Sequence, residues 1–350
     1  MPSVLAVNAG SSSLKAALFD GAVRQDFHYE LAPGEQHAAL YARLKADCAG
    51  ARIDAVGHRV THGGDVPEAA RVLDAPELQR LETLVKWAPL HQRFNLDGVD
   101  ALRRAFVAVH VACFDTAFHH AMPAIAKIIP VEGNLRRYGF HGLAYVSVVR
   151  QLQAIDELDM SKVIVAHLGS GASLCLIEHG QSHYTSMGLT PLGGIAMSSR
   201  SGDLDPGVMV EMARSSSPDA LEALLYRKSG LQAVSGLSSD MRALLASEDA
   251  RARLAVAYFC AEVRAEIGAL VARSGGITAL VFCGGIGQHS ASVRAAICEP
   301  LGFLGIQLDD TANARNAIRI ERDASIPVLA LAVDEQAEIR NLVDAALAQT

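Results

Sequence analysis

Short apolar runs separated by glycine and polar turns recur along the chain and predict an α/β protein. The first three runs, Val4 to Val7, Leu14 to Phe19 and Val23 to Leu31, are joined by brief turns, which predicts an antiparallel meander. Beyond them, helical periodicity alternates with further apolar runs. Helices are predicted at 38–48, 77–86, 97–105, 144–158, 206–214, 219–226, 249–272 and 335–347, and strands at 54–60, 107–114, 163–166, 277–283 and 328–332. Gly275-Gly276 is predicted to end the longest helix.

Two loops of similar sequence follow two of the apolar strands. Asn8 to Lys15 follows Val4 to Val7, and His167 to Leu174 follows Val163 to Ala166. Glycine lets a backbone approach an anion closely, and successive turn amides with serine hydroxyls form a nest of donors for phosphate oxygens. An ordinary Gly/Ser hairpin turn explains either loop alone equally well. The duplication favours two similar domains that close on one phosphate chain.

Charged residues also stand beside glycine turns at the ends of predicted strands, where open α/β sheets place their ligands. Arg59 can bind a carboxylate or phosphate in a bidentate manner. The alternative interpretation is a surface arginine beside a tight turn. Asp115 is either a metal-binding or arginine-orienting carboxylate or a helix N-cap. The segments Arg136 to Gly142 and Arg200 to Pro206 combine cations with glycine and are better explained as sites than as packing. Gly284 to Gly287, after a strand, could admit a flat ring or a phosphate, but alone it is a weak motif.

Composition narrows the class of protein. With 350 residues, half of them hydrophobic, the chain is expected to form about two domains. A net charge of -7 argues against a general nucleic-acid or membrane-surface binder, which needs a basic footprint. The six cysteines show no CxxC spacing, no leader is recognised, and no apolar run approaches the roughly 20 residues of a membrane span. We therefore expect a soluble cytoplasmic protein that binds neither nucleic acid nor membrane.

Taken together, these segments resemble the acetate kinase family, which belongs to the actin, sugar-kinase and Hsp70 superfamily. The resemblance runs from Val4 to the region of Glu335. The matching segments are Asn8 to Lys15, His58 to Gly64, Ala88 to His91, Phe114 to His119, Arg137 to Gly142, His167 to Ser173, Thr185 to Pro191, Arg200 to Pro206, Ser235 to Arg242 and Gly284 to Gly287. The resemblance implies two similar ribonuclease-H-like domains with an active-site cleft between them, in a homodimer. It assigns residues 1–148 plus 334–350 to an acyl-substrate domain and residues 149–333 to a nucleotide-binding domain.

The resemblance implies catalytic roles for five residues. Arg59 and Arg200 correspond to the two arginines that flank the acyl substrate and the transferring phosphoryl group. His141 corresponds to the histidine that donates to that group in the transition state. Asn8 corresponds to the asparagine that faces the phosphoryl group, and Asp115 to a carboxylate that orients an arginine or binds the metal.

The same resemblance implies residues that bind the acid, the nucleotide and the metal ion. The residues for the acid are Arg59, Thr61, Leu90, Phe140 and Pro191. Those for the nucleotide, ATP or ADP, are Ser11, Ser13, Lys15, His167, Gly169, Ser170, Gly171, Asp240, Met241, Arg242, Gly284, Gly285, Ile286 and Gly287. Those for Mg²⁺, with Mn²⁺ as an alternative, are Asn8, Asp115 and Glu335.

Several positions depart from the family pattern. Thr61 stands where the family usually has valine, Ser170 replaces an asparagine, and Gln288-His289 replaces Glu-Asn beside the nucleotide loop. A Thr61 hydroxyl that faces the acyl tail without a partner would disfavour a longer alkyl chain. The hydroxyl could instead bond to its own backbone, or only the methyl group could line the pocket.

The implied reaction is reversible transfer of a phosphoryl group from ATP to acetate or propionate. An ionised carboxylate attacking ATP has no proton to lose, so the reaction requires fixed cations rather than a general base. Pyrophosphate as donor, a different small carboxylate, and a regulatory module that binds nucleotide without catalysis are the alternatives. The intact set of catalytic positions argues against the regulatory module, because a sensor has no need of transition-state cations.

Overall fold

The computed structural model describes residues 2–10, 13–32 and 34–349. The strands are β1 (Val4–Ala9), β2 (Ser13–Asp20), β3 (Val23–Glu30), β4 (Ala55–Val60), β5 (Ala70–Val72), β6 (Val109–Phe114), β7 (Val163–Leu168), β8 (Ala172–Glu178), β9 (Gln181–Thr185), β10 (Ala279–Cys283) and β11 (Val328–Ala330). The helices are α1 (His37–Asp47), α2 (Ala75–Glu82), α3 (Pro89–Ala105), α4 (Ala124–Lys127), α5 (Gly142–Gln153), α6 (Pro206–Ser215), α7 (Pro218–Arg227), α8 (Gly230–Ser235), α9 (Met241–Ala246), α10 (Ala250–Ser274), α11 (Gly284–His289), α12 (Ala291–Cys298), α13 (Asp310–Ala314) and α14 (Glu335–Leu347). None of the helices in the described part of the chain is long and apolar enough to span a membrane.

The chain divides into two compact units. Unit one comprises Met1–His120, Phe140–Ser147 and Asp334–Thr350, and unit two comprises Ala121–Gly139 and Val148–Val333. Helix α5 therefore contributes its first six residues to unit one and its remainder to unit two.

Unit one is built on a six-stranded sheet of order β3-β2-β1-β4-β6-β5. Strand β1 pairs antiparallel with β2 and parallel with β4, which in turn is parallel to β6. Alternate residues of β1 face opposite sides of the sheet. Leu5 and Val7 pack in a cluster with Leu40 and Leu44 of α1, whereas Val4 and Ala6 pack in a cluster with residues of α14. Both faces of this sheet are thus covered by helices.

Helix α14 lies close to the sheet because Gly57 of β4 has no side chain. A Cβ atom at Gly57 would lie 2.5 Å from Ile339 and 2.6 Å from Val343. The contact brings the first residue of α14, Glu335, to the same end of the sheet as the ends of β1 and β4. The predicted bounds of this helix are the observed ones.

The five strands of unit two repeat the order β3-β2-β1-β4-β6 of unit one. The sheet of unit two has the order β11-β10-β7-β8-β9, with β7 antiparallel to β8 and parallel to β10. In both units, the first strand of an antiparallel hairpin also pairs with a parallel strand. This arrangement confirms the predicted α/β fold with two similar domains. Gly275, in the left-handed conformation (φ 68°), ends α10 as predicted.

Several elements differ from the prediction or were absent from it. Helix α3 begins at Pro89 instead of residue 97, because buried polar side chains interrupt its apolar periodicity. The strand β5 was not predicted, since three residues leave little pattern. Gly284 to Gly287, where no helix was predicted, forms the first turn of α11.

Candidate functional site

The pair of Arg59 and Asp115 lies at the ends of two neighbouring parallel strands of unit one. Arg59 is the penultimate residue of β4, and Asp115 follows the last residue of β6. The arginine donates to Asp115 Oδ2 from Nε at 2.8 Å and from Nη2 at 2.5 Å. The side chains are only 12% and 1% exposed. Arg59 is thus not a surface arginine, and the carboxylate of Asp115 orients it and does not cap a helix.

Asn8 and Glu335 extend this pair into a chain of contacts. Asn8, near the end of β1, accepts a hydrogen bond from Arg59 Nη1 through Oδ1 at 3.4 Å. Its Nδ2 donates to Glu335 Oε2 at the start of α14. Asp115 and Glu335 are therefore linked through an arginine and an amide, in the order Asp115, Arg59, Asn8, Glu335.

The electrostatic state of Glu335 follows from its surroundings. Burial raises the pKa of its carboxyl, and the negative charge of Asp115 raises it further, whereas Arg59, the Asn8 hydrogen bond and Lys15 lower it. The pKa of the Arg59 guanidinium is raised by Asp115 and Glu335 against the opposing effect of burial, so this arginine carries its charge throughout the physiological range.

His141 is held in a strained backbone conformation beside Asp115. Its φ is 61°, in the left-handed region that non-glycine residues rarely adopt. The next residue, Gly142, donates its backbone N–H to Asp115 O at 3.0 Å. A Cβ at Gly142 would lie 2.1 Å from that oxygen, so only glycine fits there. Strain of this kind is often retained at functional sites, which supports the predicted role of His141.

Phe140 and Leu90, two of the residues predicted to contact the acyl tail, both lie in unit one. Phe140 is buried and its ring meets that of His62 edge to face at 5.6 Å. Its carbonyl oxygen lies 3.0 Å from His119 Nε2, which fixes the backbone before His141. Leu90, in the first turn of α3, is partly buried.

The Thr61 hydroxyl has a partner in the protein, so the interpretation in which it faces the acyl tail without one is wrong. Its hydroxyl donates to Asn95 Oδ1 at 2.8 Å, and its backbone N–H donates to the same oxygen at 3.0 Å. The hydroxyl therefore has a partner, which neither its own backbone nor a substrate supplies. Asn95 was missed because its partners are distant in sequence. The sequence signal that could have identified Asn95 is its spacing of three residues from Gln92. Both polar residues lie on the buried face of α3.

In unit two, a backbone hydrogen bond closes the loop between β7 and β8, and a similar bond occurs in the loop between β1 and β2. Gly169 N–H donates to Gly171 O at 3.1 Å, and Gly10 N–H donates to Ser13 O at 2.8 Å. Ser170 is exposed at the tip of the unit-two loop. Ser11, a predicted nucleotide contact in the other loop, lies outside the described residues.

Gly284 brings the second predicted nucleotide segment against the first. It has φ 76°, and a Cβ there would lie 2.6 Å from the carbonyl oxygen of Leu168. The neighbouring strand ends are also joined, since Cys283 Sγ lies 3.5 Å from His167 Nδ1. The residues His167 to Gly171 and Gly284 to Gly287 thus occupy one end of the unit-two sheet.

Arg200 and Pro191 of unit two are also adjacent. Arg200 Nη1 donates to Pro191 O at 3.0 Å. The backbone around the arginine is tightly packed, because a Cβ at Gly230 would lie 2.6 Å from the carbonyl oxygen of Arg200.

The predicted helix start at Asp205 is confirmed, with its carboxylate accepting from Gly207 N–H at 2.6 Å.

The remaining predicted nucleotide residues have ordinary structural contacts. Asp240 caps α9 and forms an ion pair with Arg242, whose side chain is 91% exposed. Met241 between them is buried in the core. Lys15 on β2 is exposed, and its charge acts on Glu335.

The residues of unit one fit a divalent cation that is held mainly by substrate. Asp115 Oδ1 is buried and has no hydrogen-bond partner among the described residues. Within that part of the chain, no cluster of three histidine, cysteine or acidic side chains is placed to hold a metal ion. Mg²⁺ is commonly bound by one or two carboxylates plus substrate phosphates. Asp115 and Glu335 would supply that donor set.

Comparison with known proteins identifies the family. Residues 34–341 match the acetokinase family. Among curated relatives, the acetate kinase of Methylocella silvestris is 39% identical over 386 residues, with 96% of each chain covered. The propionate kinase of Citrobacter rodentium is 39% identical over 394 residues, covering 99% of this chain and 98% of the relative.

Solved structures agree with this result. A propionate kinase from Francisella tularensis has a TM-score of 0.88 at 30% identity, covering 98% of this chain and 99% of that one. The acetate kinase of Porphyromonas gingivalis has a TM-score of 0.83 at 29% identity, covering 99% of this chain and all of that one. Both similarities extend over the two units. The resemblance inferred from the sequence motifs is thereby confirmed, and the chain belongs to the acetokinase family.

Proposed function

We propose that the protein transfers a phosphoryl group reversibly between ATP and a short-chain carboxylic acid, acetate or propionate, forming acyl phosphate and ADP. The observation that carries this proposal is the buried chain of Asp115, Arg59, Asn8 and Glu335, which holds one guanidinium at the carboxyl ends of two parallel strands. Family membership supplies the reaction class, and this chain supplies the fixed charge that such a reaction needs.

The guanidinium of Arg59 has donors left for a substrate. Its bonds to Asp115 and Asn8 use one N–H each from Nε, Nη1 and Nη2. A guanidinium has five N–H groups, so two of them remain without a described partner. A fixed, desolvated cation of this kind stabilises charge that develops on transferring phosphoryl oxygens. An ionised carboxylate acceptor needs no base, which agrees with the commitment of Asp115 to Arg59.

His141 and Arg200 are proposed to donate to the same phosphoryl group. The strained backbone of His141 is fixed on both sides, by the Phe140 carbonyl contact with His119 and by the Gly142 bond to Asp115. Arg200 is oriented by the carbonyl of Pro191. Rigid placement matters because a small displacement of a catalytic group lowers the rate strongly.

Mg²⁺ would be held by the carboxylates of Asp115 and Glu335, with Asn8 beside them. When bound, the ion would neutralise charge on the nucleotide phosphates. Asn8 binds the Glu335 carboxylate through its amide nitrogen and so orients this ligand. The partnerless Oδ1 of Asp115 is the atom most available to a cation.

The nucleotide is proposed to bind unit two. The closed Gly169 to Gly171 turn carries only the small side chain of Ser170, and Gly284, Gly285 and Gly287 carry none, so backbone groups there suit phosphate and ring contacts. Asp240 and Arg242, on the exposed start of α9, are proposed to lie at the adenosine end.

We further propose a homodimer in the cytoplasm. All six cysteines lie within the described residues, are buried and form no disulfide there, which fits a reducing compartment. Helix α6 has no buried residue, and Val208 and Val210 are 47% and 55% exposed. Light scattering of the purified protein would test the oligomeric state.

The function is tested by trapping acyl phosphate as the hydroxamate. Acetate, propionate, butyrate and pyruvate are compared, each with ATP or pyrophosphate as donor and with Mg²⁺, Mn²⁺ or chelator. Product with acetate or propionate and ATP, abolished by the chelator, is expected. Product only with pyrophosphate, or with none of these acids, would overturn the assignment.

A further inference from the structure

Asn95 connects two segments that each carry a proposed catalytic residue. Its Oδ1 accepts both hydrogen bonds from Thr61, two residues after Arg59, and its Nδ2 donates to Ala9 O at 3.2 Å, next to Asn8. Asn95 is 3% exposed. One buried amide thus ties the end of β4 to the end of β1.

Gln92, one turn earlier on α3, holds the following residue. Its Oε1 accepts from His62 N–H at 2.9 Å, and its Nε2 donates to His62 O at 3.0 Å. Gln92 is fully buried. The side-chain amide therefore pairs with the backbone of His62 as a neighbouring strand would, and fixes the chain where β4 has ended.

Loss of any of these hydrogen bonds of Asn95 and Gln92 would lower the stability of the folded state. A buried polar group without its partner costs about 1–3 kcal/mol, so both amides strongly favour one arrangement of the β4 end. Helix α3 is anchored independently, since its Leu96, Val99 and Leu102 are buried in apolar clusters. A rigid helix thus presents two amides to the two strand ends that carry Arg59 and Asn8.

We propose that Asn95, assisted by Gln92, is a positioning residue for phosphoryl transfer. It acts through the backbone, by holding the β1 and β4 ends at the spacing at which Arg59 Nη1 meets Asn8 Oδ1. The Thr61 hydroxyl belongs to this link and does not select the acid. The inference rests on the proposed function, because it assigns Asn95 to the orientation of the acid and phosphoryl site.

The decisive variant is Asn95→Asp. The introduced carboxylate still accepts both bonds from Thr61, but it cannot donate to Ala9 O and repels that carbonyl. The link between the strands is thus broken with little change in side-chain volume. We expect kcat for acyl phosphate formation to fall by about 10-fold or more, while the KM for ATP stays within about threefold of the original value.

One further variant controls the interpretation. Asn313→Asp is the matched control in unit two, because Asn313 is also buried and its Nδ2 donates to a backbone carbonyl, Ala291 O, at 2.9 Å. It should leave kcat nearly unchanged.

Folding is checked by circular dichroism and urea unfolding, and kinetics are measured far below each midpoint. If Asn95→Asp does not fold, Gln92→Asn, which shortens the second amide without adding charge, must give the same kcat-selective loss. A folded Asn95→Asp enzyme with unchanged kcat, or with a loss equal to that of Asn313→Asp, overturns the proposal. Absence of acyl phosphate from the unmodified enzyme would count against the proposed function instead.

Discussion

Arg59 donates twice to the same oxygen of Asp115, Oδ2, and the second oxygen, Oδ1, is buried without a partner among the described residues. A carboxylate that served only to neutralise the arginine would more commonly use both oxygens in a fork. The observed geometry leaves Oδ1 for a cation and leaves part of the guanidinium for a substrate. One carboxylate can therefore orient an arginine and bind a metal at the same time.

Arg59→Lys is expected to lower kcat/KM for the acid by about 10²-fold or more, the scale of losing one preorganised donor. An ammonium group keeps the charge but cannot bond Asp115 and Asn8 simultaneously in the planar geometry of a guanidinium. Steady-state hydroxamate kinetics measure the effect. Arg93→Lys, an exposed arginine paired with Glu82 and Asp97, is the control and should retain activity. Equal activity of both variants would remove Arg59 from the mechanism.

Glu335→Gln is expected to raise the Mg²⁺ concentration needed for half-maximal rate while the fold is kept. The amide has nearly the shape of the carboxyl group, but it lacks the negative charge that a hard divalent cation prefers. The measurement is a Mg²⁺ titration of the rate at saturating ATP. Glu338→Gln, one turn later on α14, controls for changes in the helix. Superimposable titration curves for Glu335→Gln and the original enzyme would contradict the metal role.

The fold was largely predictable because its signals are local. Apolar runs separated by Gly-Ser turns identify the β1–β2 and β7–β8 hairpins, and Gly275 identifies the end of α10. Helix α3 was predicted to begin eight residues too late, since Gln92 and Asn95 are polar yet buried. Their burial is compensated by backbone groups distant in sequence, and no local pattern contains that information.

The site was predictable to the extent that topology implies it. Two parallel neighbouring strands end on the same side of a sheet, so residues at or just after their ends, such as Arg59 and Asp115, are expected to meet. The partner of the Thr61 hydroxyl was not predictable, because it depends on the rotation of α3. The positive φ of His141 could not be derived either, since the neighbouring Gly142 bonds to Asp115, which is distant in sequence.

Gly142→Ala is expected to destabilise the protein by about 1–3 kcal/mol, the usual cost of overpacking, and to lower kcat. The added methyl would lie 2.1 Å from Asp115 O, so either the carboxylate segment or the His141 loop must move. Urea unfolding and steady-state kinetics measure the two effects. Gly302→Ala is the control, because a Cβ there has no atom within 4 Å. If Gly142→Ala matches Gly302→Ala in both measurements, the close contact does not constrain the site.

The buried pair of His58 and His110 predicts a loss of stability at mildly acidic pH. His58 Nε2 and His110 Nδ1 lie 2.9 Å apart, so one of the two nitrogens accepts and must be unprotonated. Burial lowers the pKa of both rings, that of His58 well below its ordinary value, with further lowering of the His58 pKa by His110 and Arg103. The folded state therefore binds a proton less readily than the unfolded chain, in which histidine has a pKa of about 6.5.

The direction in which stability changes with pH follows from this difference in proton binding. The contribution of the neutral pair is fully present above about pH 6.5, and it decreases as the pH falls toward the lowered folded-state pKa. The free energy of unfolding should fall by at most about 1.4 kcal/mol per pH unit for each histidine. Urea unfolding at about pH 7.5 and about pH 5.5 brackets this range. His58→Gln removes one titrating ring and should show a shallower pH dependence than the original protein, whereas His28→Gln, at an exposed position, should not. Identical slopes for the original protein and His58→Gln would show that the acid sensitivity arises elsewhere.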